Sequence, residues 1–119
     1  MNSDFRSLRA SEKKLLEKLL ESAFPGHEEL RRQVEFTEAQ EIYADGTLAL
    51  RVNSGPAPAK VRWRVPVEGM CPDEDGIMIH VLLHVVNGML DELEIVKEDG
   101  SAIVRGPTAD LLVLVTPTT

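Results

Sequence analysis

The sequence GIMIHVLLHVVNGMLDELEIV, residues 76–96, decides the fold. Two apolar, strand-like runs meet within it at Asn87-Gly88. Asn and Gly both tolerate the positive φ angles that a two-residue type I′ turn requires, and this dipeptide between apolar runs is a strong local signal of a β-hairpin. We therefore predict two antiparallel strands that are joined by a tight turn at residues 87 and 88.

A two-residue turn also predicts which residues of the hairpin face each other. If the pairing runs without interruption, Val86 lies opposite Met89 and His84 lies opposite Asp91. Leu82 then lies opposite Leu93, and His80 opposite Ile95. In this register one face of the hairpin carries Met78, Leu82, Val86, Met89 and Leu93, and the other carries Ile79, Val81, Val85 and Leu90.

Helical patterns precede the hairpin. Ser11 is a good N-cap, and Glu12 follows it at the positive end of a helix. Apolar residues then recur on one broad face as far as Pro25-Gly26, a pair that cannot continue a helix. Acidic residues followed by basic ones favour a second, short helix over residues 27–33.

Strand patterns surround the hairpin. Residues 47–52 and 60–67 alternate between apolar and polar side chains, and the run LLVLV at 111–115 indicates a last strand that is buried or covers a sheet edge. The stretch NSGPAPA at 53–59 and the segment 69–72 are expected to be loops. Helices followed by a run of strands are typical of an α+β fold.

The predicted architecture is one α+β domain over residues 1–119, with residues 116–119 as a frayed tail. Two N-terminal helices pack on an antiparallel β-sheet of four to six strands, with the hairpin at its centre. A chain of this length buries roughly two-thirds of its unfolded surface. The expected core consists of Leu15, Leu16, Leu19, Leu20, Phe24, Leu30, Leu50, Val61, Trp63, Ile79, Val81, Leu93, Ile95 and Leu112.

Composition and charge exclude several classes of partner. The formal net charge is −7, whereas binding to a phosphate backbone needs clustered Lys and Arg. No apolar run reaches the ~18 residues that a membrane helix needs, and the first residues lack the apolar core of a secretion signal. We therefore expect a cytoplasmic protein that binds neither nucleic acid nor membrane.

His80 and His84 are the first candidates for chemistry. On a helix their spacing would place both imidazoles on one face, where they could hold zinc. On a strand, residues four apart lie about 13 Å from each other, too far to share an ion at bonds of about 2.1 Å. The hairpin therefore predicts no metal site from this pair. The sequence also contains no glycine-rich nucleotide-binding motif and no serine hydrolase motif, so we expect no cofactor.

The predicted register pairs His84 with Asp91 across the two strands. Such a pair can orient an imidazole for base catalysis, or it can be a cross-strand ion pair worth ~0.2–1 kcal/mol. We favour the ion pair because no nucleophile is identifiable nearby. A reactive cysteine needs a positive neighbourhood, and Cys71, the only cysteine, precedes three acidic residues. His84, Asp91, His80 and Cys71 are thus only weak catalytic candidates.

Acidic residues cluster in two places. The run DEDG at 73–76 resembles the centre of a calcium-binding loop, but that alignment puts Cys71 and Leu82 at the two anchor positions where Asp and Glu are required. A tight acidic turn that leads into a strand fits these residues better. Glu92 and Glu94 share one face of their strand. We expect them to be solvated charges that prevent sheet-to-sheet pairing, rather than a carboxylate pair for acid–base chemistry.

Two stretches form a recognisable combination. RSLRASEKKLLEKLL with FPGHEELRRQV lies within residues 6–34, and DGIMIHVLLHVVNGMLDELEIVKEDGS covers residues 75–101. Together they resemble a group of small, mostly actinobacterial proteins with the patterns LxxxExxLLxxLL, FPGxxxLRxQ and DGxxxxVLLHVxxGxLxELEI. The function of that group is unknown, so the resemblance implies a shared domain and carries no catalytic residue to this chain.

The leading functional hypothesis is a non-catalytic interaction or regulatory module. It binds either another protein or a second copy of itself. It rests on the lack of a catalytic constellation and on two apolar hairpin faces, of which a single helix layer covers one. The alternative is a small-ligand-binding protein or weak enzyme with a site around His80, His84 and Asp91. A third interpretation, an immunity- or antitoxin-like partner, fits the small acidic form.

Overall fold

The hairpin lies in the middle of a seven-stranded antiparallel sheet in a computed structural model, which describes residues 4–117. The strand order is β1-β2-β3-β6-β5-β4-β7. The strands are β1 Arg6–Ser7, β2 Thr37–Glu41, β3 Leu48–Val52, β4 Val67–Pro72, β5 Met78–Val86, β6 Met89–Lys97 and β7 Val113–Val115. The prediction of four to six strands is too low, because β1 is only two residues long and leaves little pattern, and β4 includes a segment that was expected to be a loop.

Two helices follow β1 and pack on one face of the sheet. They are α1, Ala10–Leu19, and α2, His27–Gln33, and two short 3-10 helices span Val34–Phe36 and Ala109–Leu111. The bounds of α2 are those predicted. The cap of α1 is Arg9 rather than Ser11, because the Glu12 carboxylate reaches back and accepts the Arg9 backbone N–H at 2.8 Å.

The core lies between the helices and the sheet. The molecule is a slab of 40 × 40 × 20 Å, which fits one layer of helices on one sheet. Every predicted core residue is buried except Val61 and Trp63. Residues 60–66 are irregular rather than a strand, because alternation creates no strand without a neighbour to pair with, and Pro66 lacks the N–H that a ladder needs.

The segment 69–72, expected to be a loop, is part of β4. Gly69 allows a close approach there, since a Cβ atom at this position would lie 3.0 Å from the Leu112 side chain. Beyond Leu112 the chain pairs with β4 as β7, so the predicted strand 111–115 is shorter than expected and forms a sheet edge. Of the predicted tail, residues 116 and 117 have no regular structure, and residues 118 and 119 lie outside the described residues.

The turn of the hairpin has the predicted conformation. Asn87 has a φ of 53° and Gly88 a φ of 77°, as a type I′ turn requires. The turn is also anchored, because the Gly88 carbonyl accepts hydrogen bonds from the Ala59 N–H and from the buried Gln33 side chain, both at 2.8 Å. Gln33 in turn accepts the Leu90 N–H at 3.0 Å, which ties α2 to the hairpin.

The register of the hairpin departs from the prediction after two pairs. Val86 faces Met89 as predicted, but His84 faces Glu92 rather than Asp91, because a bulge follows the first pairs. The bulge has a cause in the sequence: Leu90 and Leu93 are three residues apart, so both can face the core only if one extra residue is inserted. Further along, Leu82 faces Glu94 and His80 faces Val96.

Beyond the bulge, each residue of β6 faces the side of the sheet opposite to the one predicted. Leu93 and Ile95 face the core, so Leu93 does not share the face of Met89 as predicted. Glu92 and Glu94 point away from the helices, on the same side as His84. No helix in residues 4–117 is long and apolar enough to cross a membrane.

Candidate functional site

One face of the sheet carries no helix from residues 4–117, and we call it the open face. It is formed by those side chains of the central strands that alternate with the core residues. In β4, β5 and β6 these are Glu68, Met70, Met78, His80, Leu82, His84, Val86, Glu92, Glu94 and Val96. His80 and His84 lie in the middle of this face, and the neighbouring strands surround each of them with different charges.

His80 is held between two carboxylates. Its Nδ1 contacts Glu68 on β4, and its Nε2 lies 2.8 Å from Glu98 Oε1, just beyond the end of β6. A neutral imidazole can donate from only one nitrogen, whereas the protonated ring donates from both. The hydrogen bond to Glu68, followed by that to Glu98, raises the pKa of His80 above its ordinary value. The two contacts therefore favour the protonated form of His80, in a three-residue ionic cluster with Glu68 and Glu98.

This cluster predicts how stability depends on pH. A pKa that is raised by folding adds stability that is fully present below the unfolded value of about 6.5 and is lost as pH rises through the folded value. We expect wild type to exceed His80→Gln in Tm by ~2–5 °C at pH 6, with the gap shrinking by pH 9. Thermal unfolding at four pH values measures this gap. A gap that stays constant with pH would contradict the assignment.

His84 has a different environment, four residues along the same strand. The Arg64 Nε–H donates to its Nδ1 at 3.1 Å, and its Nε2 lies 2.8 Å from Glu94 Oε1. Arginine can only donate, so Nδ1 is an acceptor and Nε2 carries the proton that Glu94 accepts. His84 is therefore a neutral imidazole with a fixed tautomer.

Glu92 completes a group with His84 and Glu94. One ligand atom from each of these three side chains lies within 4.8 Å of the other two, and all three residues are partly buried. Glu94 accepts a hydrogen bond from His84, whereas Glu92 has no hydrogen bond or ion pair in the described part of the chain. The group therefore holds one partly buried carboxylate with no partner.

The remaining weak candidates do not join this group. Asp91 sits in the bulge and lies 3.8 Å from Arg64, so the predicted His84–Asp91 pair is wrong. Cys71 is buried on the opposite, helix-covered face of the sheet, where its register partner is Ile79. The four side chains proposed from sequence are thus not brought together in one place.

Two clefts bear on a ligand site, and Glu94 lines the first of them. One of about 550 Å³ lies between residues 43–47, the end of β6 and residues 100–103, and another of about 530 Å³ lies between α1 and residues 107–110. Neither is lined by His80, His84 or Asp91. These clefts lend no support to a concave ligand site around the two histidines.

A buried ion pair was not expected from the sequence. Lys97 lies at the end of β6 with its side chain 1% exposed, and it donates to Asp73 at 2.9 Å and to Asp75 at 2.6 Å. Asp73 also accepts the backbone N–H groups of residues 104–106 at 2.7–3.2 Å. The pair fastens the segment after β6 to the turn between β4 and β5, so its role is structural.

Sequence reasoning missed Arg64, Glu92 and Glu94 as neighbours of His84. A signal for the two glutamates existed, because the three-residue spacing of Leu90 and Leu93 breaks the alternation of a regular strand and marks the bulge. No such signal existed for Arg64, because it lies in an irregular segment. That segment contacts the hairpin through a hydrogen bond from the Val85 N–H to the Arg64 carbonyl oxygen at 2.7 Å.

The comparisons with known proteins place the chain in a family and go no further. No curated protein matched the chain, and no solved structure matched it either. One family model matched residues 5–107, which is most of the chain and includes both the helical segment and the hairpin. The chain therefore belongs to the family described as Domain of unknown function (DUF6984).

Proposed function

We propose that this protein is a non-catalytic binding module that forms a symmetric dimer through the apolar half of its open face. The partner is a second copy of this chain. The observation that carries the proposal is a row of exposed apolar side chains at the end of the sheet formed by β7.

The row is formed by two valines on β7. Val113 is 63% exposed and Val115 46% exposed, and both lie on the open face because their register partners are Met70 and Glu68. Large apolar residues exposed side by side on a sheet edge are a liability for a monomer, and native proteins cover or charge such edges. We call Val113, Val115 and Met70 the apolar corner.

Charge limits where a second copy can bind. The chain has a net charge of −7, so two copies repel each other unless they meet on an uncharged patch. The apolar corner is such a patch, and a two-fold axis through it places the same residues against each other. The open face around the apolar corner offers about 400 Å² per partner, about half the area of a standard interface, so the association is expected to be weak.

The oligomeric state in solution tests the proposal. We expect sedimentation velocity to show a monomer–dimer equilibrium with a dissociation constant on the order of 10–100 µM. The double variant Val113→Asp/Val115→Asp is expected to sediment as a monomer at all concentrations, because the dimer would bury four unpaired carboxylates.

Val104→Asp is the matched control. Val104 is also an exposed valine, at 56%, but it lies in the segment after β6 and outside the apolar corner. This variant should dimerise as wild type does. The proposal is wrong if wild type stays monomeric up to about 500 µM, or if the double variant dimerises unchanged while remaining folded.

The cellular location and the other partners are part of the same proposal. We place the protein in the cytoplasm, in support of which Cys71 is a buried free thiol, and we assign it no nucleic-acid or membrane partner on the basis of its acidic charge. We also propose that the helical and hairpin patterns identified in the sequence recur within the family.

The alternative function is a small-ligand site or weak enzyme, and of its two histidines only His84 could act as a base. Both nitrogens of His80 are already bonded to carboxylates, so His80 has no lone pair with which to act as a base. His84 differs because it is neutral and lies beside a carboxylate that has no partner.

A further inference from the structure

We propose that His84, Glu92 and Glu94 form a binding site for one divalent cation of the zinc type. The site is complete within one chain. It lies on β5 and β6, away from the apolar corner on β7 and β4, so it does not depend on the proposed dimer.

The geometry of the three side chains suits one ion. Ligand atoms bound tetrahedrally to zinc at 2.0–2.1 Å lie about 3.4 Å from one another. Here the three candidate atoms lie within 4.8 Å of one another, so rotations of the two glutamate side chains that move their oxygens by about 1 Å would close the site. The strands that carry them form a continuous ladder on both sides of the bulge, which holds the three Cα atoms in place.

The chemistry of the donors determines which ion is favoured. An imidazole nitrogen with two carboxylates is a mixed nitrogen and oxygen set, which suits zinc and its neighbours in the first transition series. Calcium and magnesium prefer six or more oxygen ligands, and only carboxylates here supply oxygen. Three protein ligands leave a fourth position on zinc for water.

A second observation points to a cation, independently of the spacing. Glu92 is a partly buried carboxylate with no hydrogen bond or ion pair in the described residues, and Glu94 receives only the proton of a neutral imidazole. Arg64 is the cation in contact with His84, and its guanidinium lies 3.8 Å from Asp91 rather than on either glutamate. In the described residues neither glutamate thus has a lysine or arginine as its partner, and a bound cation would pair with both.

Arg64 determines how the ion would enter. With Arg64 donating to Nδ1, Nε2 carries a proton and cannot bind a metal. Binding at Nε2 requires the imidazole to take its other tautomer: the Nε2 proton is lost to solvent and Nδ1 gains one, so the ring stays neutral. Arg64 can then no longer donate to Nδ1, and its guanidinium turns to Asp91, which it already approaches.

Titration with zinc chloride tests the site. The full chain is freed of metal with a chelator, dialysed and titrated in a calorimeter. We expect one zinc ion per chain with a dissociation constant on the order of 1 µM, and at least about 10-fold weaker binding for Glu92→Gln and for Glu94→Gln. Two-dimensional ¹H–¹⁵N spectra of the imidazoles should show Nε2 of His84 shifting on addition of zinc, with His27 and His80 unchanged.

His80→Gln is the matched control, because it removes a histidine from the same strand and the same face while leaving the three proposed ligands intact. It should bind zinc as wild type does. The site is refuted if wild type binds zinc more weakly than about 100 µM, if Glu92→Gln and Glu94→Gln bind as tightly as wild type, or if the imidazole that responds is not His84.

A second variant separates this site from non-specific binding to acidic groups. Arg64→Gln removes a positive charge and the bond that fixes the unfavourable tautomer, so we expect it to bind zinc several-fold more tightly than wild type. Arg64 is exposed, and its bond to Val85 is made by the backbone, so the fold should be retained. Unchanged or weaker binding by Arg64→Gln would contradict the proposed coordination through Nε2.

Discussion

Gly88→Ala is expected to lose about 3–5 kcal/mol of unfolding free energy, a large part of the 5–15 kcal/mol typical of a domain. Gly88 has a φ of 77°, and an alanine there would place its Cβ atom 2.6 Å from the Ala59 carbonyl oxygen and 2.8 Å from the Pro58 side chain. The first of these neighbours is backbone, so the clash cannot be relieved by a side-chain rotation. Urea unfolding measures the loss.

Gly100→Ala is the matched control for this substitution. Gly100 has a nearly identical φ of 75°, but no atom lies within 4 Å of the position that its Cβ would take. It should therefore lose only the ~1–2 kcal/mol that a left-handed conformation costs an L-residue. The difference between the two variants isolates the contact of the turn with residues 58 and 59. Equal losses would show that this contact contributes nothing.

The same turn shows how far local sequence determines the fold. The positive φ angles of Asn87 and Gly88 follow from their own chemistry, so the hairpin could be predicted from two residues. The anchoring of that turn could not, because Gln33 is 55 residues away in sequence and nothing local indicates that its amide reaches the Gly88 carbonyl. The bulge lies between these cases. The spacing of Leu90 and Leu93 indicates it, but the prediction assumed strand pairing without interruption and therefore missed it.

The candidate site was harder to predict than the fold for a physical reason. A strand alternates with period two, so one extra residue exchanges the faces of everything beyond it. The extra residue brought Glu92 and Glu94 beside His84 and left Asp91 in the bulge. An error of one position thus changes which side chains can share a proton or an ion, while it leaves the strands, and hence the fold class, unaltered.

The burial of charged residues is also hard to predict from sequence, because such residues are expected at the surface. The sequence indicates a turn at Asp73 and predicts nothing for Lys97, yet both residues are buried and paired. The turn itself was predicted correctly, since the Gly76 N–H donates to the Asp73 carbonyl at 2.9 Å. What the sequence could not indicate is that the segment after β6 folds back over that turn and excludes water from it.

Asp73→Ala is expected to lower Tm by on the order of 10 °C or more and to release the segment that follows β6. The substitution leaves the Lys97 ammonium buried with only Asp75 as an acidic partner, and it removes the acceptor of the N–H groups of residues 104–106. Hydrogen exchange should show fast exchange of those three amides in the variant while the amides of β5 and β6 remain protected.

The pH dependence of this loss distinguishes the ion pair from a simple packing defect. Burial raises the pKa of Asp73, but the N–H groups of residues 104 and 105 and the Lys97 ammonium outweigh it and hold that pKa far below the ordinary range. A lowered pKa adds stability that is present above the unfolded value of about 3.9 and is lost as pH falls below it. The Tm gap between wild type and Asp73→Ala should therefore be constant from pH 8 to about 5 and narrow below about pH 4. Asp75→Asn is the control, since this carboxylate is 38% exposed, shares Lys97 and accepts the Ile77 N–H rather than those of residues 104–106. Its loss should therefore be smaller and should leave residues 104–106 protected.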